Sequence, residues 1–292
     1  MFDIKDILEP NTLKEALEIK NNKDVDIIAG GTDILIKLHH NQISDITLLS
    51  LQNINSLKKI YIDENNNIII GSMASFTSVF RDEIINENIY ALAEAAVSMG
   101  GPQVRNVATI GGNVCNGAVS ADSASTLFAL NAKLKLETSE GVRVIPIEDF
   151  YLGPGRVAIN KNEILTEIII EEESYKDYFS NYIKFSNRKA MDIAMLGVSV
   201  NGKFSEGIIK DLRIALGVAA PTPIRCKEAE NYAKNKKITM ENIEEIAKKT
   251  LLDARPRNSW RGSKDFRTHL IKELTKRGIL EILKRGGAEI HE

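Results

Sequence analysis

Apolar residues along the first half of the chain come in short bursts with two different periods. In TLKEALEI, residues 12–19, Leu13, Ala16, Leu17 and Ile19 form an apolar face at helical spacing, and Thr12 with Glu15 three positions on makes a capping box. VDIIA, residues 25–29, reads as a buried strand that ends at Gly30 and Gly31. DILIKLHH returns to helical spacing. TLLSL, LKKIYI and NIIIGS read as strands, and DENNN joins the last two as a hairpin. The spacing of Ile84, Ile85, Ile89, Leu92, Ala95 and Ala96 predicts a helix over 83–98. SASTLFALNA is another helix, and KLKLET with VRVIPI predicts a second hairpin.

The pattern changes after the strand ILTEIII. EEESYKDYFSN, residues 171–181, is a polar, charged break. Beyond it come three strands, YIKFS, IAMLGVSVN and DLRIALG, and then helices over Ala229–Asn235, Met240–Leu252 and Lys264–Arg285. Strands followed by helices predict a segregated α+β domain built on a three-stranded antiparallel sheet. The chain thus divides into a mixed domain over 1–176 and a smaller one over 177–292.

Composition removes several function classes. Charged residues at 27% with a net charge of −2 give no basic excess to neutralise phosphates, which argues against a nucleic-acid protein. The 43% hydrophobic fraction argues against disorder. No apolar run approaches the roughly 18 residues of a membrane span, and MFDIKDILEP lacks the pattern of a signal peptide. Cys115 and Cys226 cannot make a disulfide framework or supply the four thiolates of an iron–sulfur cluster, so a reducing cytoplasm is the natural setting. His39, His40, His269 and His291 show no ligand spacing.

The chemistry gathers at two double glycines, in AGGTD (29–33) and ATIGGNVCNGAVSAD (108–122). A double glycine after a strand lets the backbone turn with positive φ and clears side chains from a ligand's path. Successive N–H groups in such turns form concave anion sites that hold a pyrophosphate without any cationic side chain. Neither segment is G-x-G-x-x-G, and the phosphate-loop pattern G-x-x-x-x-G-K-[ST] is missing, so a Rossmann fold and a P-loop NTPase lose their best support. Structural readings stand beside the functional ones. Asp33 and Asp122 suit helix caps, Thr32 and Thr109 suit turns, and Asn113 and Asn116 tolerate left-handed backbone. Cys115 suits a small buried position, and Lys184 a solvated sheet edge. From the residues alone, the pair of turns points to a phosphate-bearing cofactor without naming it.

AGGTDILIKL, GPQVRNVATIGGNVCNGAVSADSASTL, APTPIRC and RGSKDFRTHL resemble the flavin-binding subunits of the molybdenum hydroxylases, in particular the FAD subunits of bacterial three-subunit xanthine dehydrogenases. The resemblance runs over essentially the whole chain. It implies an α+β chain with the FAD-binding fold of the vanillyl-alcohol oxidase and p-cresol methylhydroxylase type. Two α+β subdomains would enclose the FAD, ahead of the small C-terminal domain. It further implies that Ala29, Gly30, Gly31, Thr32 and Asp33 wrap the FAD diphosphate, with Ile27, Ile28 and Ile34 beside them also binding the cofactor. Ala108, Thr109, Ile110, Gly111, Gly112 and Asn113 would approach it from the second subdomain. Asp122 would accept from sugar hydroxyls, Ile164 and Leu165 would pack on the cofactor, and Ile183 and Lys184 would lie near the flavin ring. The chain departs from eukaryotic relatives at Met99, where they carry an aromatic residue, and near Met191, where they carry an acidic one.

The function implied by the resemblance is an electron relay in a cytoplasmic heterotrimer. A large molybdopterin subunit hydroxylates a heterocycle such as a purine, two [2Fe–2S] clusters on a small subunit pass electrons singly, and the FAD of this chain delivers a hydride to NAD. No catalytic acid, base or metal ligand is assigned in this chain. Nicotinate, another purine or carbon monoxide are alternative substrates of the complex. A self-contained flavin oxidoreductase and a cofactor-free assembly module of the same fold are the competing classes.

Overall fold

The computed structural model describes residues 3–290. The chain starts with β1 (Ile4–Leu8), α1 (Leu13–Asn22), β2 (Asp26–Ile28), α2 (Ile34–His39) and β3 (Ile46–Ser50). The three strands form a parallel sheet in the order β1-β3-β2. The expected cap of α1 is present: the Thr12 hydroxyl accepts from the Glu15 N–H at 3.2 Å. Glu15 reaches back one residue further than the capping box asks, accepting from the Asn11 N–H at 3.0 Å.

A second subdomain is built on five antiparallel strands. They are β4 (Ile60–Ile62), β5 (Ile68–Gly71), then β6 (Lys133–Glu137), β7 (Val142–Pro146) and, after a two-stranded ribbon β8 (Tyr151–Gly153) and β9 (Arg156–Val157), β10 (Ile164–Ile170). The sheet order is β4-β5-β10-β6-β7, so both predicted hairpins form and β10 closes the middle. Ile168 of β10 faces Ile70 on one side and Leu134 on the other, all fully buried. Seven helices cover this sheet: α3 (Phe76–Arg81), α4 (Glu83–Asn88), α5 (Tyr90–Ser98), α6 (Pro102–Val107), α7 (Ile110–Cys115), α8 (Asp122–Ala129) and α9 (Ile147–Phe150). The single helix expected over 83–98 is two. The chain breaks at Ile89, whose φ of −138° lets its side chain turn wholly inward.

The C-terminal domain comprises β11 (Phe179–Phe185), β12 (Leu196–Ser205), β13 (Ile208–Gly217), β14 (Ile224–Arg225), α10 (Lys227–Ala233), α11 (Met240–Asp253) and α12 (Lys264–Arg285). The three predicted strands are the long ones of an antiparallel sheet, and the two-residue β14 adds a fourth at its edge. Helix α12 buries Leu270, Ile271, Leu274, Ile279, Ile282 and Leu283, which form one core with Val198, Val200 and Ile214 of the sheet. Ser263 caps the helix by accepting from the Phe266 N–H at 3.2 Å. No helix among the described residues is long and apolar enough to cross a membrane.

Candidate functional site

The two glycine segments meet. Gly30 packs so tightly that a Cβ there would lie 1.9 Å from the Val107 carbonyl oxygen. Asp33 stands at the N-cap of α2 yet makes no capping bond; its carboxylate instead accepts from the Asn116 amide at 3.0 Å. Burial raises its pKa, against the opposing charge of Lys37 and that bond. Glycine at 30 and the Asp33–Asn116 bond thus lock the turn of the first subdomain onto the end of α7 in the second.

The two turns do different things. Gly31 has φ +76°, the left-handed region that glycine adopts at no steric cost. Among the described residues, the backbone N–H groups from Gly30 through Ile34 donate to no protein acceptor. Five successive free donors on one turn make an anion cradle. The second segment is no such turn. Gly111 and Gly112 lie in the first turn of α7, and neither has positive φ. The Gly111 N–H donates to the Ser72 carbonyl at 2.9 Å and the Gly112 N–H to the Thr109 hydroxyl at 3.1 Å. Gly111 is small because Ser72 lies against it: a Cβ would sit 2.6 Å from the Ser72 carbonyl oxygen. A Cβ on Gly112 would have the Thr109 hydroxyl at 2.9 Å and otherwise approach only Ala29 across the cavity. The second glycine pair, read from the sequence as a turn similar to the first, is instead the start of a helix and lines the cavity as a wall.

Between the segments runs a cavity of about 1030 Å³. Ile27, Ala29, Gly30, Gly31, Thr32, Asp33, Ile34, Ala108, Thr109, Gly111, Gly112, Asn113, Asp122, Ile164 and Leu165 all line it. Ile28 and Ile110 do not; Ile110 points into the core of the second subdomain. Ile183 packs on the C-terminal core. Lys184 also lies off the cavity wall, but it is not the solvated edge residue its strand suggests. Its side chain is only 9% exposed and its ammonium donates to the Asp122 carboxylate at 2.9 Å and the Ser98 carbonyl at 3.1 Å. The other Asp122 oxygen accepts from the Tyr182 hydroxyl at 3.2 Å. Asp122 is not a cap, because it occupies the first turn of α8 with Ala121 at the N-cap. Burial raises its pKa, and Lys184 and Tyr182 oppose that rise. Lys184 thereby acts on the cavity through a carboxylate that faces it.

Ile164 and Leu165 are held by a clamp that sequence spacing does not reveal. The Glu163 carboxylate accepts from Arg143 at 2.5 and 2.8 Å and from the Asn160 N–H at 2.7 Å. Cys115 lines the cavity, and burial pushes its thiol up to about 12, so it stays an unreactive thiol. Sequence reasoning also missed a group from the C-terminal domain. Arg188, Asp192, Ile193, Trp260 and Arg261 line the cavity beside Met191. Trp260 had a signal that went unread, since it is the chain's single tryptophan, set in the polar segment NSWRG.

A family profile described as the FAD binding domain in molybdopterin dehydrogenase matches residues 2–171. The chain belongs to this family. A second profile, the CO dehydrogenase flavoprotein C-terminal domain, matches residues 181–282. The chain is 40% identical to the xanthine dehydrogenase FAD-binding subunit of Escherichia coli O157:H7, over 99% of this chain and all of that one. It is 32% identical to the nicotinate dehydrogenase FAD-subunit of Eubacterium barkeri, over 80% of this chain and 81% of the other. Carbon monoxide dehydrogenase of Hydrogenophaga pseudoflava contains a chain of the same fold, with a TM-score of 0.91, 26% identity, and 98% and 99% of the two chains covered. The protein is therefore an FAD-containing oxidoreductase subunit of the molybdenum hydroxylase family, of the xanthine dehydrogenase type. Its residues fit the cofactor. The five free N–H groups suit a diphosphate, and a pocket of this volume, closed by two subdomains, suits a dinucleotide.

Proposed function

We propose that this chain is the electron-transfer subunit of a xanthine dehydrogenase complex, passing electrons from [2Fe–2S] clusters on a small partner subunit to NAD. A molybdopterin-binding large subunit would complete a cytoplasmic heterotrimer of purine metabolism. FAD, when bound, supplies the junction between one-electron and two-electron transfer. The protein's part is to hold and orient it. Residues 1–176 act as the FAD-binding domain and 177–292 as the domain that covers the ring side.

The turn from Gly30 to Ile34 carries this reading, because five unpaired donors facing a long cavity call for a diphosphate. In this reading Gly112 and Ala29 wall the phosphates and Ile164 and Leu165 pack on the cofactor. Asp122, fixed by Tyr182 and Lys184, presents its carboxylate to a hydroxyl. Xanthine is favoured over nicotinate or carbon monoxide because the 40% identity to the xanthine dehydrogenase subunit spans the whole chain. The flavin of the purified chain, released by denaturation and separated by chromatography, should be FAD. FMN alone would overturn the reading, since a monophosphate needs no such cradle.

A further inference from the structure

Arg267 stands at the start of α12 and is 3% exposed. Among the described residues, every bond that its guanidinium makes goes to a neutral oxygen. The acceptors are the Met195 carbonyl, the Ser259 hydroxyl at 2.9 Å and, at the longer distance of 3.5 Å, the Val218 carbonyl. Its Nε is buried without a partner. A cation buried without a carboxylate is costly, and an apolar side chain of similar volume serves packing at least as well. The reason for the charge therefore lies in what its three acceptors hold.

Each acceptor lies at the base of a segment that walls the cavity. The Met195 N–H donates to the Phe185 carbonyl at 2.8 Å, so Met195 closes the loop 186–194, from which Met191, Asp192 and Ile193 reach the cavity. Val218 is a β-branched residue at φ +65°, in the left-handed region that such side chains occupy only under constraint. Its N–H donates to the Val119 carbonyl at 3.2 Å while its own carbonyl faces Arg267. Val119 is flanked by Ala118 and Ser120, which line the cavity just ahead of Asp122. Ser259 closes a turn with Gly262 through two backbone bonds of 3.1 Å, and Trp260 and Arg261 at its tip line the cavity. This turn presses on the base of the first loop: a Cβ on Gly262 would lie 2.9 Å from the Met195 sulfur. Three wall segments far apart in sequence thus share one guanidinium. A planar fork of five donors can serve acceptors in several fixed directions, which an ammonium on a flexible stem cannot.

We propose that Arg267 is a positioning residue for the cofactor. It sets the wall that the C-terminal domain presents to the cavity and, through Val218 and Val119, the segment that leads to Asp122. This rests on the proposed seating of FAD between Gly112 and the Gly30–Ile34 turn. Arg267→Met keeps most of the bulk and removes all three bonds. It should bind FAD about tenfold more weakly, the change that one charged hydrogen bond makes, and alter the visible circular dichroism of the bound flavin. The fluorescence anisotropy of Trp260, the chain's single tryptophan, should fall as its turn loosens. All three are read well below the melting temperature, where a loss of stability alone does not move them. Arg267→Lys should behave like Arg267→Met, whereas millimolar ethylguanidinium should return Arg267→Ala toward wild type. Ser259→Ala cuts one arm on a surface turn and should lower the Trp260 anisotropy by itself. Wild-type FAD affinity and dichroism in Arg267→Met, with only the melting temperature lowered, would make Arg267 a corner of the fold and overturn the proposal. Wild-type flavin signals in Arg267→Lys would overturn it too, since charge without the fork would then suffice. Should the Arg267 variants fail to fold, an unchanged Trp260 anisotropy in Ser259→Ala overturns it independently. Gly112→Val tests the seating itself. A yellow Gly112→Val protein moves the flavin away from this cavity and takes the proposal with it. A colourless one beside a normal Arg267→Met overturns the positioning alone.

Discussion

Two neighbouring glycines on α7 look interchangeable in the sequence and are not. Gly111 is a packing residue: its Cβ would drive into the Ser72 backbone, and that contact joins α7 to the sheet. Gly111→Val should therefore destabilise the protein by about 2–3 kcal/mol, as overpacking does, and show it as a lower melting temperature. Gly112 faces the cavity, and a Cβ there presses only on the Thr109 cap, so Gly112→Val should lower the melting temperature less than Gly111→Val, by the roughly 1 kcal/mol of a disturbed cap, and strip the flavin. Measuring the ratio of flavin to protein absorbance alongside thermal unfolding separates the two. A yellow Gly112→Val protein would move the diphosphate away from this wall. Glu163 yields a pH signature. Its burial favours the neutral acid, but the hydrogen bonds from Arg143 and Asn160 win and hold its pKa below the ordinary value. A depressed folded-state pKa contributes stability above the unfolded value of about 4.3 and loses it as pH falls through the folded one. Glu163→Gln should cost about 1.5 kcal/mol at pH 7, a modest figure because Arg143 is partly exposed. The gap between the two melting curves should close below about pH 4. A gap that persists in acid would show that shape, and not charge, is what the clamp supplies.

At the scale of elements, the contact between α5 and β11 ties the two domains together. The Glu94 carboxylate on α5 accepts from the Tyr182 N–H at 2.8 Å, the Asn181 amide at 3.2 Å and Arg285 of α12 at 2.6 Å. Glu94→Ala should cost about 2 kcal/mol through the donors left unpaired. Hydrogen exchange should then quicken first at the Tyr182 amide; unaltered protection there would mean that apolar packing alone fixes the interface. This tie explains what could be read from the chain and what could not. Hairpins such as β4–β5 and β6–β7 rest on local turns and alternation, and α12 on its own spacing and cap, so their positions are legible. The break at Ile89 answers to the packing of a distant core, which leaves no local mark. The cradle at Gly30–Ile34 was legible from strand-then-glycine order. The wall role of Gly112, the burial of Lys184 by Ser98 and Asp122, and the arrival of Trp260 at the cavity all depend on segments far apart in sequence meeting in space.

Across the whole molecule, the question is where electrons enter and leave. Two cysteines cannot supply the four thiolates of an iron–sulfur cluster, so on the proposed function electrons from the oxidised heterocycle would reach this chain from partner subunits that hold the other centres. The cavity spans both subdomains and extends to Trp260 and Arg261 of the C-terminal domain, and on the proposed function this opening would give a diffusible acceptor a route to the flavin without the partners. The two directions can therefore be separated in a stopped-flow experiment that follows bleaching of the bound flavin. On the proposed function NADH should bleach it in the FAD-loaded chain alone, because that exchange would need only this chain's cavity. Xanthine should leave it yellow until the molybdopterin and iron–sulfur subunits are both added, and then bleach it through them. Direct bleaching by xanthine in the lone chain would place an organic-substrate site here and convert the subunit into a self-contained oxidoreductase. Failure of NADH to bleach the flavin even in the complete complex would leave the relay in place but assign its outlet to a different acceptor.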